Sequence, residues 1–200
     1  MYIFCNKKNN IKLKIKYRLV EAKIINEEVF MEIKLNEQQE TAKNLIKDWW
    51  ENKRDEKQYF VLAGYAGTGK TFLVNYLIKY VLEIPIEKVT YVAPTGKAAS
   101  VLVQRGASNA TTIHKLIYNR IEKEYENEIN GKIIKTKRFE FVKKPSIPNY
   151  KLIIVDETSM VEKKIMEDLL SFGIPMICCG DAGQLPRNHV IKWFIRKTRL

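Results

Sequence analysis

Eight consecutive residues, Gly64-Tyr65-Ala66-Gly67-Thr68-Gly69-Lys70-Thr71, fit the spacing G-x-x-x-x-G-K-[ST]. Gly64, Gly67 and Gly69 let the backbone curl, so that the N–H groups of the loop, those of Ala66 and Thr68 included, can converge on phosphate oxygens. A helix starting just after the loop adds the positive end of its dipole. The Lys70 ammonium suits β- and γ-phosphates, and the Thr71 hydroxyl suits Mg²⁺. A second group, Asp156-Glu157, follows the apolar run Leu152-Ile153-Ile154-Val155. Asp156 suits the Mg²⁺ shell, and Glu157 suits orienting and deprotonating an attacking water. Alone, such a pair is as readily a solvated loop or a helix cap. It gains meaning from the glycine-rich loop about 85 residues earlier. A third group, Gly180-Asp181-Ala182-Gly183-Gln184-Leu185-Pro186, follows another apolar run. An amide there, Gln184, could sense a γ-phosphate by hydrogen bonding, where a hydrocarbon could not. Together these groups point to ATP bound with Mg²⁺ and hydrolysed.

The elements that must position them follow from the pattern. Tyr59 to Ala63 is a short apolar strand leading into the loop, and a helix is expected from about Thr71 to Leu82. Val89 to Ala93 is a second strand, ended by Pro94, with a helix over 96–105. Further on, a helix is expected near 113–121, a strand at Leu152–Val155, a helix at 161–170 and a strand at Met176–Cys179. Upstream, Asn36 with Gln39 three residues later forms a capping-box pattern. Ala42, Leu45, Ile46, Trp49 and Trp50 then trace one apolar stripe, which places the tryptophans in the core. Residues 11–20 alternate apolar and basic, as a two-faced strand does. Asn130-Gly131 signals a two-residue hairpin turn within a Lys/Glu-rich stretch. Strands alternating with helices give an α/β fold with a parallel sheet flanked by helices.

Composition narrows the partners. The chain has 200 residues, 46% hydrophobic and 29% charged, which is a globular balance and not that of a disordered tail. No apolar run approaches the ~18 residues of a membrane-spanning helix, no signal peptide is visible at Met1–Asn10, and a cytoplasmic setting is the expectation. The three cysteines are too few for a disulfide scaffold and lack zinc spacing, and Cys178 and Cys179 are expected as small core residues. The net charge of +12 suggests an anionic partner, nucleic acid before membrane. However, residues 1–30 and 188–200 each carry +4, so residues 31–187 hold only +4.

Taken in order, the motifs resemble those of superfamily 1 DNA helicases of the RecD/Dda-like group. Leu35-Asn36-x-x-Gln39 resembles the adenine-reading Q motif, and GYAGTGKT the Walker A motif. Ala93-Pro94-Thr95-Gly96-Lys97-Ala98-Ala99 resembles motif Ia, and Thr112-Ile113-His114-Lys115-Leu116 motif Ib. VDETSM at 155–160 resembles motif II, and GDAGQLP motif III. The resemblance implies a P-loop NTPase with a RecA-like sheet, ATP-driven movement on single-stranded DNA, typically 5′ to 3′, and particular residue roles. Gln39 would select adenine. Pro94, Thr95, Lys97, Thr112 and His114 would contact the DNA backbone, Asp181 would lie at the nucleotide, and Gln184 would report its state. Members of the group carry an inserted pin where the Asn130-Gly131 hairpin lies. A plain surface hairpin fits those residues as well, and His114 and Lys97 also fit roles with no ligand.

The resemblance also sets domain expectations: a RecA-like domain over 31–187 with a small hairpin insertion at about 122–143, an extension over 1–30, and a basic tail over 188–200. Half of residues 1–30 are Ile, Lys or Asn, and Met31 looks like a start. Arg187 stands where the group has a second proline, and the chain ends about thirteen residues later, as a truncated or frameshifted reading frame would. The group's second RecA-like domain carries an arginine that stabilises the transferred phosphoryl group, an effect worth ~10³–10⁵ in rate for such arginines. Two alternatives follow. One is a non-helicase P-loop ATPase such as a PhoH-like enzyme acting on RNA, although those do not match DETSM followed by GDxxQLP so closely. The other is a remnant that binds nucleotide or DNA passively.

Overall fold

The computed structural model describes residues 2–5, 34–65, 67–107, 109–129 and 132–181, with side chains from 34 onward except those of 127–134. The expected strand over 11–20, the Asn130-Gly131 turn and the tail over 188–200 lie outside the described residues.

Eight strands and five α-helices are described: β1 (Tyr2–Cys5), α1 (Glu37–Asp48), β2 (Tyr59–Gly64), α2 (Lys70–Tyr80), β3 (Val89–Ala93), α3 (Gly96–Gln104), β4 (Thr111–Thr112), α4 (Ile113–Ile117), β5 (Tyr118–Ile129), β6 (Lys132–Lys143), β7 (Leu152–Val155), α5 (Lys163–Leu170) and β8 (Met176–Asp181). Six strands form one sheet in the order β1-β2-β8-β7-β3-β4, with every pairing parallel. β5 and β6 form a separate antiparallel hairpin.

Strand alternation explains the layers. Phe60 and Leu62, Tyr91, Ile154, and Ile177 and Cys179 face one side, where they pack with α1, α2 and α3 residues such as Ile46, Leu73, Leu77 and Leu102. Val61, Val92, Ile153, Val155 and Cys178 face the other side, against α4 and α5 through Ile117, Met166 and Leu169. Because helices cover both faces, the central strands are apolar at nearly every buried position, Thr90 of β3 excepted, as a parallel sheet requires.

The start of α1 is fixed by the expected capping box. The Gln39 N–H donates to Asn36 Oδ1 at 2.9 Å, and the Asn36 N–H donates to Gln39 Oε1 at 3.1 Å. Trp49 is 2% exposed and stacks near Phe60, and its indole N–H donates to the Lys57 carbonyl at 2.6 Å. Trp50 is only half buried, with the Arg54 guanidinium 4.4 Å from its ring.

Two expectations need correction. The helix near 113–121 ends at Ile117, because Ile113, Leu116 and Ile117 bury against the sheet while the residues from Tyr118 onward pair with β6. The hairpin accordingly begins at Tyr118 instead of about 122, and its two strands are twelve residues each. β1 pairs with β2 from Tyr2↔Val61 to Cys5↔Gly64, a strand the sequence pattern did not single out.

Candidate functional site

Every candidate group in the described residues lies at the C-terminal rim of the sheet, where open parallel sheets bind ligands. β2 ends at Gly64 and α2 begins at Lys70, so the glycine-rich loop spans the strand-to-helix turn. Gly67 and Gly69 have φ of +79° and +82°, the left-handed region that side-chain-bearing residues avoid. A Cβ on Gly69 would come 3.0 Å from Gln39 Nε2, whereas the space at Gly67 is open. Gly69 provides no side-chain cap and the first turn of α2 has no acidic residue, so the amide donors there face the loop without a carboxylate competing for them. An uncapped helix start behind two left-handed glycines fits a polyphosphate.

Lys70 bends back over the loop: its ammonium donates to the carbonyls of Gly64 at 2.6 Å and Tyr65 at 2.9 Å. Two of its three donors are thereby used, and the third is left for a phosphate oxygen. The Gln39 amide, with its oxygen in the capping box, donates to the Thr68 carbonyl at 3.5 Å. The start of α1 therefore leans directly on the loop.

Asp156 follows β7 and is half buried, and its N–H donates to the Val92 carbonyl of β3 at 2.9 Å. Glu157 is exposed and adopts φ 49°, ψ 40°, a left-handed conformation at a residue that is not glycine. The turn after it is held by the Met160 N–H to the Glu157 carbonyl at 2.9 Å and by the Thr158 hydroxyl to the Val155 carbonyl at 3.2 Å.

β8 lies between β2 and β7 in the sheet, with Gly64 opposite Asp181. Asp181 therefore sits beside the first glycine of the loop. Burial pushes the Cys179 thiol upward; the neighbouring Asp156 carboxylate adds to this and the Lys70 ammonium opposes it. In the sheet Cys179 pairs opposite Leu62 of β2 and faces the α1–α3 side, two residues before Asp181. Burial likewise pushes Cys178 up to about 12, against a hydrogen bond with Thr158. Both thiols are buried in the core, as expected. Among the described residues no cluster of three or more His, Cys, Asp or Glu side chains could hold a metal by itself. Thr71, in the first turn of α2, and Asp156, after β7, are oxygen donors that could complete a Mg²⁺ shell drawn mostly from phosphate and water. Ala66 and Gln184 lie outside the described residues.

Pro94, Thr95, Lys97, Thr112 and His114 lie on the same rim, beyond β3 and β4, whose Ala93 and Thr112 are paired. Thr95 and Thr112 cap α3 and α4, accepting from the N–H groups of Ala98 and Lys115 at 3.2 Å each. Lys97 is exposed, and His114 is half buried between the rings of Tyr118 at 5.5 Å and Phe141 at 5.7 Å. The sequence did not single out Phe139 and Phe141. They are 54% and 59% exposed on one face of the hairpin, with the Arg120 guanidinium 3.6 Å from the Phe139 ring. The Phe-Glu-Phe alternation in a lysine-rich strand was the available signal. A cleft lined by Trp50, Arg54, Tyr150, Ile174 and Pro175 opens at the opposite end, beside the N-terminal ends of the strands.

A family model for an AAA domain matches residues 51–189. The chain belongs to that family. This AAA domain is of the superfamily 1, RecD/Dda-like kind. It is 28% identical over 144 residues to the ATP-dependent DNA helicase dda of Enterobacteria phage T4, covering 72% of this chain and 30% of that protein. It is 31% identical over 129 residues to the ATP-dependent RecD2 DNA helicase of Deinococcus radiodurans, covering 63% of this chain and 16% of that one. It is also 32% identical over 180 residues to an uncharacterized protein, R530, of Acanthamoeba polyphaga mimivirus, covering 80% and 35%. The chain thus spans about a third or less of the length of these relatives. Among the described residues no helix is long and apolar enough to cross a membrane.

Proposed function

We propose that this AAA domain is the ATP-binding and hydrolysing motor domain of a DNA helicase that moves along single-stranded DNA, 5′ to 3′, in the cytoplasm. One observation carries the reading: β3 accepts the Asp156 N–H through Val92 and, two residues later, runs into Pro94 and Thr95. One strand thus ties the acidic end of the nucleotide site to the first candidate DNA loop. The exposed aromatic and basic face of the hairpin continues that rim, and stacking rings among cations suit single-stranded nucleic acid.

In this reading the loop N–H groups and the third Lys70 donor bind the β- and γ-phosphates, and Gln39, held beside Thr68, meets the adenine. Glu157 orients the attacking water and takes its proton. Mg²⁺, held by Thr71 and Asp156, would neutralise charge developing on the phosphate oxygens. Asp181 lies beside the loop, and Gln184 follows it as the group that senses the γ-phosphate. ATP in such motors sits between two RecA-like domains, and residues 34–181 would line one side of it, so this domain by itself is expected to bind ATP weakly and turn it over slowly.

ATP binding and hydrolysis are measured for the chain and for Lys70→Ala, with single-stranded DNA and with RNA of the same sequence. Binding lost in Lys70→Ala, with slow hydrolysis raised by DNA more than by RNA, is the expected result. Equal stimulation by RNA and DNA would favour the non-helicase ATPase, and no difference from Lys70→Ala would favour a passive remnant.

A further inference from the structure

Tyr91 is 1% exposed in the middle of β3, packed with Leu73, Val74 and Leu77 of α2 and with Ile154 of β7. A phenylalanine would fill the same space, so packing alone gives no reason for the hydroxyl. That hydroxyl donates to Asn75 Oδ1 on α2 at 2.5 Å. Burial, with the neighbouring Cys179 adding to it, holds the phenol far above its ordinary titration range, so it remains a donor at every working pH.

Its place in the fold gives the bond a use. Asn75 lies four residues after Thr71, one helical turn along the helix that begins with Lys70. The next residue on β3, Val92, accepts the Asp156 N–H at 2.9 Å. Consecutive residues of β3 are thus tied to both halves of the nucleotide site, the P-loop helix through Tyr91 and the acidic strand through Val92. Pro94 and Thr95 follow immediately. A displacement of α2 along its axis reaches β3 through a directional contact, whereas the surrounding aliphatic contacts can slide.

We infer that the Tyr91–Asn75 hydrogen bond is a positioning contact that makes nucleotide binding at the P-loop and nucleic-acid binding beyond β3 depend on each other. The inference rests on the DNA-motor reading above. Neither residue touches a ligand; both act through the elements they join.

The test measures affinity for a labelled oligo(dT) by anisotropy, with and without a non-hydrolysable ATP analogue and Mg²⁺, and affinity for the analogue alone. Coupled sites typically change each other's affinity by ~5–150-fold. The expected result is that Tyr91→Phe and Asn75→Leu each reduce the wild-type coupling factor by at least about threefold, while each ligand alone binds within about twofold of wild type. Asn75→Asp, which keeps an acceptor oxygen, should retain the coupling. Thermal unfolding identifies a variant that has lost its fold, and the two Asn75 variants decide the matter if Tyr91→Phe does. Wild-type coupling preserved in both Tyr91→Phe and Asn75→Leu would overturn the inference and leave the motor reading standing. A wild-type chain that binds both ligands without coupling would overturn both.

Discussion

Glu157 shows how much local strain the candidate site holds. A left-handed backbone at a residue with a Cβ costs about 1–2 kcal/mol, and here it falls on the residue next to Asp156. The turn after it, closed by Met160 and by the Thr158 hydroxyl, holds the conformation in place. Such outliers gather where function over-determines the backbone. Glu157→Gly removes both carboxylate and strain, whereas Glu157→Gln removes the charge and keeps the strain. In urea unfolding, Glu157→Gly should therefore be the more stable of the two by about 1 kcal/mol, while both lose ATP turnover and keep nucleotide binding. A glycine variant less stable than the glutamine variant would show that the conformation carries no strain. The spacing of the motif marked Glu157 as a candidate, but its backbone conformation was not legible, because nothing in D-E-T-S-M forces a positive φ. The same holds for Gln39: the capping box was legible from Asn36 and Gln39, but the contact with Thr68 depends on where α1 packs.

Among the elements, the hairpin departs most from its sequence reading. Its ladder carries cross-strand ion pairs, among them Lys137–Glu122 at 2.7 Å and Lys135–Glu126 at 2.9 Å, both between exposed partners. Pairs of this kind contribute about 0–1 kcal/mol each and weaken with salt. Its base is tied more firmly: the Tyr118 hydroxyl donates to Asp168 on α5 at 2.5 Å, the Lys144 N–H donates to the Ile117 carbonyl at 2.8 Å, and the Lys143 ammonium bonds Ser171. An anchored base holds the exposed rings in one position relative to the rim. If single-stranded DNA runs over that face, replacing Phe139 and Phe141 together by alanine should weaken oligo(dT) binding by about 1–3 kcal/mol for each lost stacking contact. Affinity for ATP should not change, and anisotropy titrations of both ligands check this. Undiminished DNA affinity in the double variant would make the hairpin a surface ornament of this chain. The strands Val89–Ala93 and Leu152–Val155 were legible to the residue, since each is an apolar run with clear punctuation. The end of α4 was not, because Ile113, Leu116, Ile117 and the residues after them satisfy a helical period until pairing with β6 decides otherwise. Sheet order was also illegible: β8, the last described strand, inserts between β2 and β7, and non-local pairing leaves no local pattern.

At the scale of the whole molecule, the two-sided core joins the stability of the domain to protons that it keeps buried. Burial raises the Tyr118 phenol from 10.0 to about 12, and the hydrogen bond to Asp168 and the charge of that carboxylate act in the same direction. Below pH 10 the phenol is protonated whether the chain is folded or unfolded, so its contribution to stability is fully present. Between pH 10 and 12 the unfolded chain releases this proton while the folded chain retains it, and stability falls as pH rises. Cys178 acts in the same sense over pH 9 to 12, with burial as the main cause. Because Tyr118 joins the hairpin to α5, its ionisation would loosen the contact that fixes the hairpin against the sheet. Urea midpoints of wild type and Tyr118→Phe, measured from pH 7 upward, should differ by a constant amount to about pH 9.5. Above that the wild type should lose stability faster, so that the difference shrinks or reverses by pH 12. Spectroscopic titration of the folded wild type should show one phenolate appearing near pH 12 that is missing from the variant. Parallel midpoints throughout would mean that Tyr118 titrates as an ordinary surface tyrosine, and that the hairpin is held by its backbone and apolar contacts alone.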